Sequence, residues 1–158
     1  MLTSSALRFA ALAATFAAIV VAPNQAAATQ SYQDWRVDCP QKNACVAHFD
    51  AAGIQILIGR VTPTSPVRMA FRLPAAIKTG APVAVRLSTG WEAGLHVGGC
   101  KKEYCEAGVA EKSTDTAAGE FRRSQSGIVA YQIDNRILII PFSLAGFADA
   151  MKAVSSSS

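Results

Sequence analysis

Several signatures of chemistry are missing from this chain. It has two histidines, His48 and His96, in 158 residues. No H-E-x-x-H or H-x-x-x-H spacing accompanies them, which removes the usual sequence mark of a metal site. There is no G-x-S-x-G nucleophile turn and no C-x-x-C, so neither a hydrolase elbow nor a thioredoxin-like redox pair is encoded. There is no internal repeat and no domain linker. Beyond residue 28 no apolar run approaches the ~20 residues that a spanning helix needs, so the later chain carries no transmembrane segment. That region holds fourteen basic and eleven acidic residues, a net charge of +3. So mild and scattered an excess does not make the basic stripe of a nucleic-acid binder.

What is present begins with an export signal. Arg8 supplies the positive charge, Phe9 to Ala22 is an apolar run too short to span a membrane, and Pro23-Asn24 break it. Ala26-Ala27-Ala28 then offers the small residues that a signal peptidase reads. Residues 1–28 are thus expected to be a signal peptide, and 29–158 one domain in the periplasm, the cell envelope or the secreted fraction.

Four cysteines follow, Cys39, Cys45, Cys100 and Cys105. An even count in an exported chain implies disulfides. Three pairings are open; closeness in sequence favours Cys39–Cys45 and Cys100–Cys105. A four-cysteine zinc site would want tighter spacings and free thiolates, so no metal or other cofactor is expected.

Two-residue alternation runs through the rest and predicts strands. Trp35, Val37 and Cys39 share one face. Ile54, Ile56 and Ile58 share another, followed by Met69, Phe71 and Leu73, then Val83, Val85 and Leu87, then Trp91, Ala93, Leu95 and Val97. Polar residues around 114–123 predict a short helix. A hairpin across Asp134-Asn135 joins 128–133 to 136–142. Ile137-Leu138-Ile139-Ile140 is apolar on both faces, which predicts a central strand. Ser143 is positioned to cap a closing helix from Leu144 to about Val154. The expected fold is mainly β: an antiparallel sandwich or partly closed barrel with a short C-terminal helix.

Candidate functional groups are few. Arg68, Arg72 and Arg86 share outward parity on two strands expected to be neighbours, with Arg36 and Arg60 nearby. Together they could offer a basic face to an anionic surface component or an acidic partner. Lys101 and Lys102 form a smaller basic cluster. Trp35 and Trp91 fall on apolar faces and read as core; stacking a glycan or small molecule is the alternative. A small hydrolase would need His48 or His96 in a pocket beside Asp or Glu.

Four stretches in order resemble the invasion-associated locus B family of Gram-negative envelope proteins. These are Trp35-Arg36-Val37-Asp38-Cys39, Phe71-Arg72-Leu73-Pro74 with Pro82-Val83-Ala84-Val85, Cys100-x4-Cys105, and Pro141-Phe142-Ser143-Leu144-Ala145-Gly146-Phe147 with Ala150. The resemblance spans about residues 34–154. It implies an exported protein of a family whose founding members are linked to invasion of host cells. No catalytic residue comes with it. The expected function is a non-catalytic envelope protein that binds an envelope or host protein and contributes to host-cell association.

Overall fold

The computed structural model describes residues 29–156, so the expected signal peptide lies outside the described residues. The predicted alternation becomes ten strands: β1 Thr29–Tyr32, β2 Trp35–Gln41, β3 Ala44–Ala51, β4 Ile54–Gly59, β5 Arg68–Pro74, β6 Val83–Leu87, β7 Glu92–Cys100, β8 Tyr104–Gly108, β9 Ser126–Ile133 and β10 Arg136–Ser143. Two α-helices, α1 Thr114–Arg123 and α2 Phe147–Ser156, and a 3-10 turn at Glu111–Ser113 complete the described fold. All neighbouring strands run antiparallel, in the order β1-β2-β3-β4-β5-β8-β7-β6-β9-β10. The first and last strands do not pair with each other, so the sheet is an open sandwich rather than a closed barrel.

The pleat sorts the side chains. Ile54, Ile56 and Ile58 of β4 are buried, as are Met69, Phe71 and Leu73 of β5 and Val83, Val85 and Leu87 of β6. Such alternation is expected where one face of a sheet meets the core and the other meets water. Both helices close the inner side. Phe121 of α1 lies 5.7 Å from Phe142, 5.6 Å from Phe147 and 6.4 Å from Phe71, centroid to centroid. Trp35 meets Phe147 at 4.8 Å and Phe49 at 5.7 Å. Each such pair contributes about 0.5–1.5 kcal/mol beyond the area it buries.

The two ends of the sheet meet at one joint. The backbone N–H of Asp34 donates to the carbonyl of Ala145 at 3.3 Å, and Trp35 Nε1–H donates to the carbonyl of Ser143 at 3.1 Å. Gly146 makes this approach possible. Its φ is +85°, and a Cβ there would lie 1.9 Å from the carbonyl oxygen of Tyr32. Only glycine combines that conformation with that contact.

The joint also corrects the expected helix. Ser143 does not cap a helix starting at Leu144. Its Oγ accepts from the backbone N–H of Ala145, the left-handed Gly146 interrupts the chain, and α2 begins at Phe147.

A second correction concerns Ile137 to Ile140. They belong to β10, the last strand of the sheet, not a central one. Nothing follows β10 in the order, because the chain turns at the joint and lays α2 across β2 and β3. Apolar residues on both faces of a strand were read as burial on both sides; here they mark exposure.

Cys39 is joined to Cys45 and Cys100 to Cys105. The first clasp ties β2 to β3 across the Lys42-Asn43 turn, and the second ties the end of β7 to the start of β8.

Candidate interaction surface

The polar side of the first half of the sheet carries a run of cross-strand contacts. Arg36 of β2 sits opposite His48 of β3. His48 Nε2 lies 3.0 Å from Asp38 Oδ2, off hydrogen-bond alignment, and Nδ1 lies 3.7 Å from Asp50 Oδ2. Asp50 also accepts from Arg36 at 2.7 Å and from Gln55 at 2.6 Å. Gln55 in turn accepts from Arg72 at 2.8 Å.

His48 therefore has the carboxylates a catalytic base would want, but on both sides. A Ser-His-Asp arrangement needs one imidazole nitrogen on the acid and the other on a hydroxyl. Both nitrogens of His48 face carboxylates, and the nearby hydroxyl of Thr29 donates to Asp38 instead. His96 is exposed on the outer face opposite Gly108, away from this cluster. Among the described residues no group of three His, Cys, Asp or Glu side chains could hold a metal ion. No helix among them is long and apolar enough to cross a membrane.

The arginines are not gathered as expected. Arg68 and Arg72 lie on β5 and Arg86 on β6, but these strands are not neighbours: β8 and β7 lie between them. The reason is that β6, β7 and β8 form a meander whose last strand, not its first, pairs with β5. Most of the charge is also met locally. Arg86 contacts Glu92 at 2.7 Å, Arg36 contacts Asp50, and Arg72 lies 3.9 Å from Glu106 with its guanidinium over the Tyr104 ring. Arg68 shares with Arg72 and His96 a depression of about 510 Å³ on the outer face, floored by Gly59, Ala70 and Gly108. Lys101 rests over the Tyr104 ring.

Neither tryptophan offers a ligand platform. Trp35 is wholly buried in the aromatic cluster, and Trp91 is half-buried against the core.

The surface that stands out is β10. Ile137 is 72% exposed, Ile139 59% and Leu138 37%. Large apolar side chains grouped this way mark sites of contact with other molecules. The backbone of β10 is available as well. Pro141 has no N–H and pairs with Ile128 of β9, so its nitrogen must face the open side of the strand. Direction repeats every second residue in an antiparallel ladder, so Ile137 and Ile139 also turn their N–H and C=O groups outward. Across to β9, Ile139 lies opposite Ala130, Pro141 opposite Ile128 and Ile137 opposite Gln132. Sequence reasoning missed this surface, although the proline was its signal: Pro within a strand pattern belongs at a sheet edge.

A model of the family described as invasion associated locus B (IalB) protein matches residues 54–155, about two thirds of the chain. The chain belongs to the invasion-associated locus B family. Its fold is similar to the crystal structure of invasion associated protein b from Bartonella henselae, with a TM-score of 0.68 over 82% of this chain and 96% of that one, at 16% identity. No curated protein sequence matches the chain.

The stretch that closes the invasion-associated locus B resemblance now has a physical reading. Pro141 withholds one N–H from the open side of β10, Phe142 and Phe147 fill the core, and Gly146 makes the joint. These roles are architectural. The open strand lies directly beside them.

Proposed function

We propose that this protein is exported after removal of residues 1–28 and acts in the periplasm or cell envelope by binding another protein, without catalysis. Its partner is an envelope or host protein that supplies an extended segment, which adds as an eleventh strand along β10. The observation that carries this reading is the open edge at Ile137 and Ile139, where unpaired backbone groups and exposed apolar side chains coincide. Strand addition uses that combination: main-chain hydrogen bonds supply affinity and alternate side chains supply specificity. An anionic surface fits less well, because it has no backbone to pair and Arg36, Arg72 and Arg86 already have acidic neighbours. Two disulfides suit an oxidising compartment.

The test is a photo-crosslinking residue placed at Ile139 and, as a control, at Ser31 on the opposite edge, in cells that export the protein. A discrete heavier adduct at position 139 and none at 31 is expected. Equal labelling at both positions overturns the reading, and so does an adduct of twice the chain's mass, which would assign the edge to a second copy.

A further inference from the structure

β10 is open over a bounded stretch. Past Pro141 the carbonyl of Ser143 is taken by Trp35 Nε1–H, and before Arg136 the chain turns at Asp134-Asn135. Between those limits Ile137 and Ile139 each turn an N–H and a C=O outward, while Pro141 offers a C=O only. A strand laid alongside therefore bonds to Ile137 and Ile139, and its ladder thins at the proline.

The inner face opens along the same stretch. Arg136, Leu138, Ile140 and Phe142 share that parity, and Leu138 and Ile140 lie opposite the buried Tyr131 and Val129 of β9. Phe142 is buried, Ile140 half-buried and Leu138 37% exposed, so the cover over this face thins toward the turn. Arg136 stands next in the row. It is exposed and makes no ion pair among the described residues, with Asp134 across the turn left unengaged. The outer face is apolar at Ile137 and Ile139. An added strand thus meets apolar side chains on both of its faces, then a lone cation.

The ladder sharpens that requirement. Residues opposite Arg136, Leu138 and Ile140 fall at the pairs that exchange no backbone bonds, where Cα atoms approach to about 4.5 Å and side chains meet most closely. There, apolar and opposite-charge pairs stabilise a sheet and like charges oppose it. Every pairing already in this sheet is antiparallel, the slightly more stable arrangement per residue. We propose that the segment received by β10 runs antiparallel to it and carries four consecutive apolar residues followed by an acidic one. The apolar residues lie opposite Ile140, Ile139, Leu138 and Ile137, and the carboxylate meets Arg136. The proposal rests on strand addition at β10 and specifies the strand that is added.

The experiment titrates the folded, disulfide-intact protein with end-blocked peptides on a polyethylene glycol tail, followed by two-dimensional NMR of backbone amides. The lead probe is Thr-Val-Ile-Val-Val-Glu. Its amide shifts should saturate at Ile137 and Ile139. Thr-Ser-Ile-Ser-Val-Glu, which strips the inner face, should bind about tenfold more weakly, the worth of a buried aliphatic side chain. Thr-Val-Ile-Val-Val-Lys should bind about fivefold more weakly. Arg136 is exposed at an edge, so Arg136→Glu should fold, and it should reverse the preference between the Glu and Lys peptides. Equal binding of all three peptides at Ile137 and Ile139 would leave strand addition standing and overturn this chemistry. Tighter binding of the reversed sequence Glu-Val-Val-Ile-Val-Thr, which suits a parallel strand, would overturn the orientation. No movement at Ile137 and Ile139 with any peptide overturns both the proposal and strand addition. Protection of those amides that grows with the protein's own concentration assigns the edge to a second copy, and also overturns both.

Discussion

The sheet has two edges, and they are built differently. Within the described residues β1 covers Thr29–Tyr32, Thr-Gln-Ser-Tyr, polar throughout. β10 is eight residues long, with Ile137, Leu138 and Ile139 standing in solvent. Edge strands invite pairing, and proteins blunt them with short, polar or charged segments. β1 follows that rule. β10 is blunted only by Arg136 at one end and by the missing N–H of Pro141 near the other. Among the described residues one edge is thus polar, and the other is apolar and exposed. The two edges nevertheless share a support, because the joint of Asp34, Trp35, Ser143 and Gly146 holds both ends of the sheet to one aromatic core.

The largest effect should come from cutting that support. Trp35→Ala removes the ring that meets Phe49 and Phe147 and the bond to the Ser143 carbonyl. The expected loss is about 3–5 kcal/mol in urea unfolding, the usual cost of emptying a large aromatic site. Gly146→Ala should cost about 3 kcal/mol, since strain at a left-handed position adds to displacement of the Tyr32 carbonyl. Hydrogen exchange sharpens this second test. Protection should fall first in β1 and around Ser143, and a loss confined to α2 would mean that the joint does not link the edges.

Next come the two clasps. Each closes a short loop, with sequence separations of 6 and 5, and should contribute about 2 kcal/mol by the chain-entropy account. They differ in place. Cys39–Cys45 ties the polar-edge hairpin, while Cys100–Cys105 lies in the middle of the strand order. Cys39→Ser with Cys45→Ser should loosen β1 and β2 selectively, as read by exchange, whereas the corresponding change at Cys100 and Cys105 should lower protection across β5, β8 and β7.

Much of this architecture was legible because it is local. Strand parity, the 114–123 helix, the hairpin at Asp134-Asn135 and the choice of sequence-adjacent cysteines each depend on residues a few positions apart. The order of strands is not local. Nothing in Arg68, Arg72 and Arg86 reveals that two strands come between them, since β5 could close on either end of the β6–β8 meander. The run Ile137 to Ile140 failed for a related reason: periodicity reports which residues are apolar, not what covers them, and only Pro141 carried a hint.

A smaller, pH-dependent effect reports on the last hairpin. Tyr131 of β9 pairs with Leu138 of β10 and is buried, which raises its hydroxyl pKa above the ordinary 10.0. The unfolded chain releases that proton near its ordinary value while the folded chain still holds it. Stability is therefore unaffected below about pH 10 and declines as pH climbs from there through the raised folded value. Tyr131→Phe should flatten that decline in urea midpoints. An equal slope in the variant would mean that the hairpin holds Tyr131 less firmly than its burial suggests.

The smallest expected change in stability belongs to the surface with the largest proposed role. Ile139→Lys places a charge where the side chain already meets water, so its cost should stay within about 1 kcal/mol, the span of strand propensity. The matching change on the other edge, Ser31→Lys, should be as mild. Partner capture, followed through a crosslinker at the neighbouring Ile137, should separate the two: lost with Ile139→Lys and kept with Ser31→Lys. If Ile139→Lys instead cost as much as a core substitution, Ile139 would have to be covered in the free protein. The contrast between a guarded edge and an available one would then collapse.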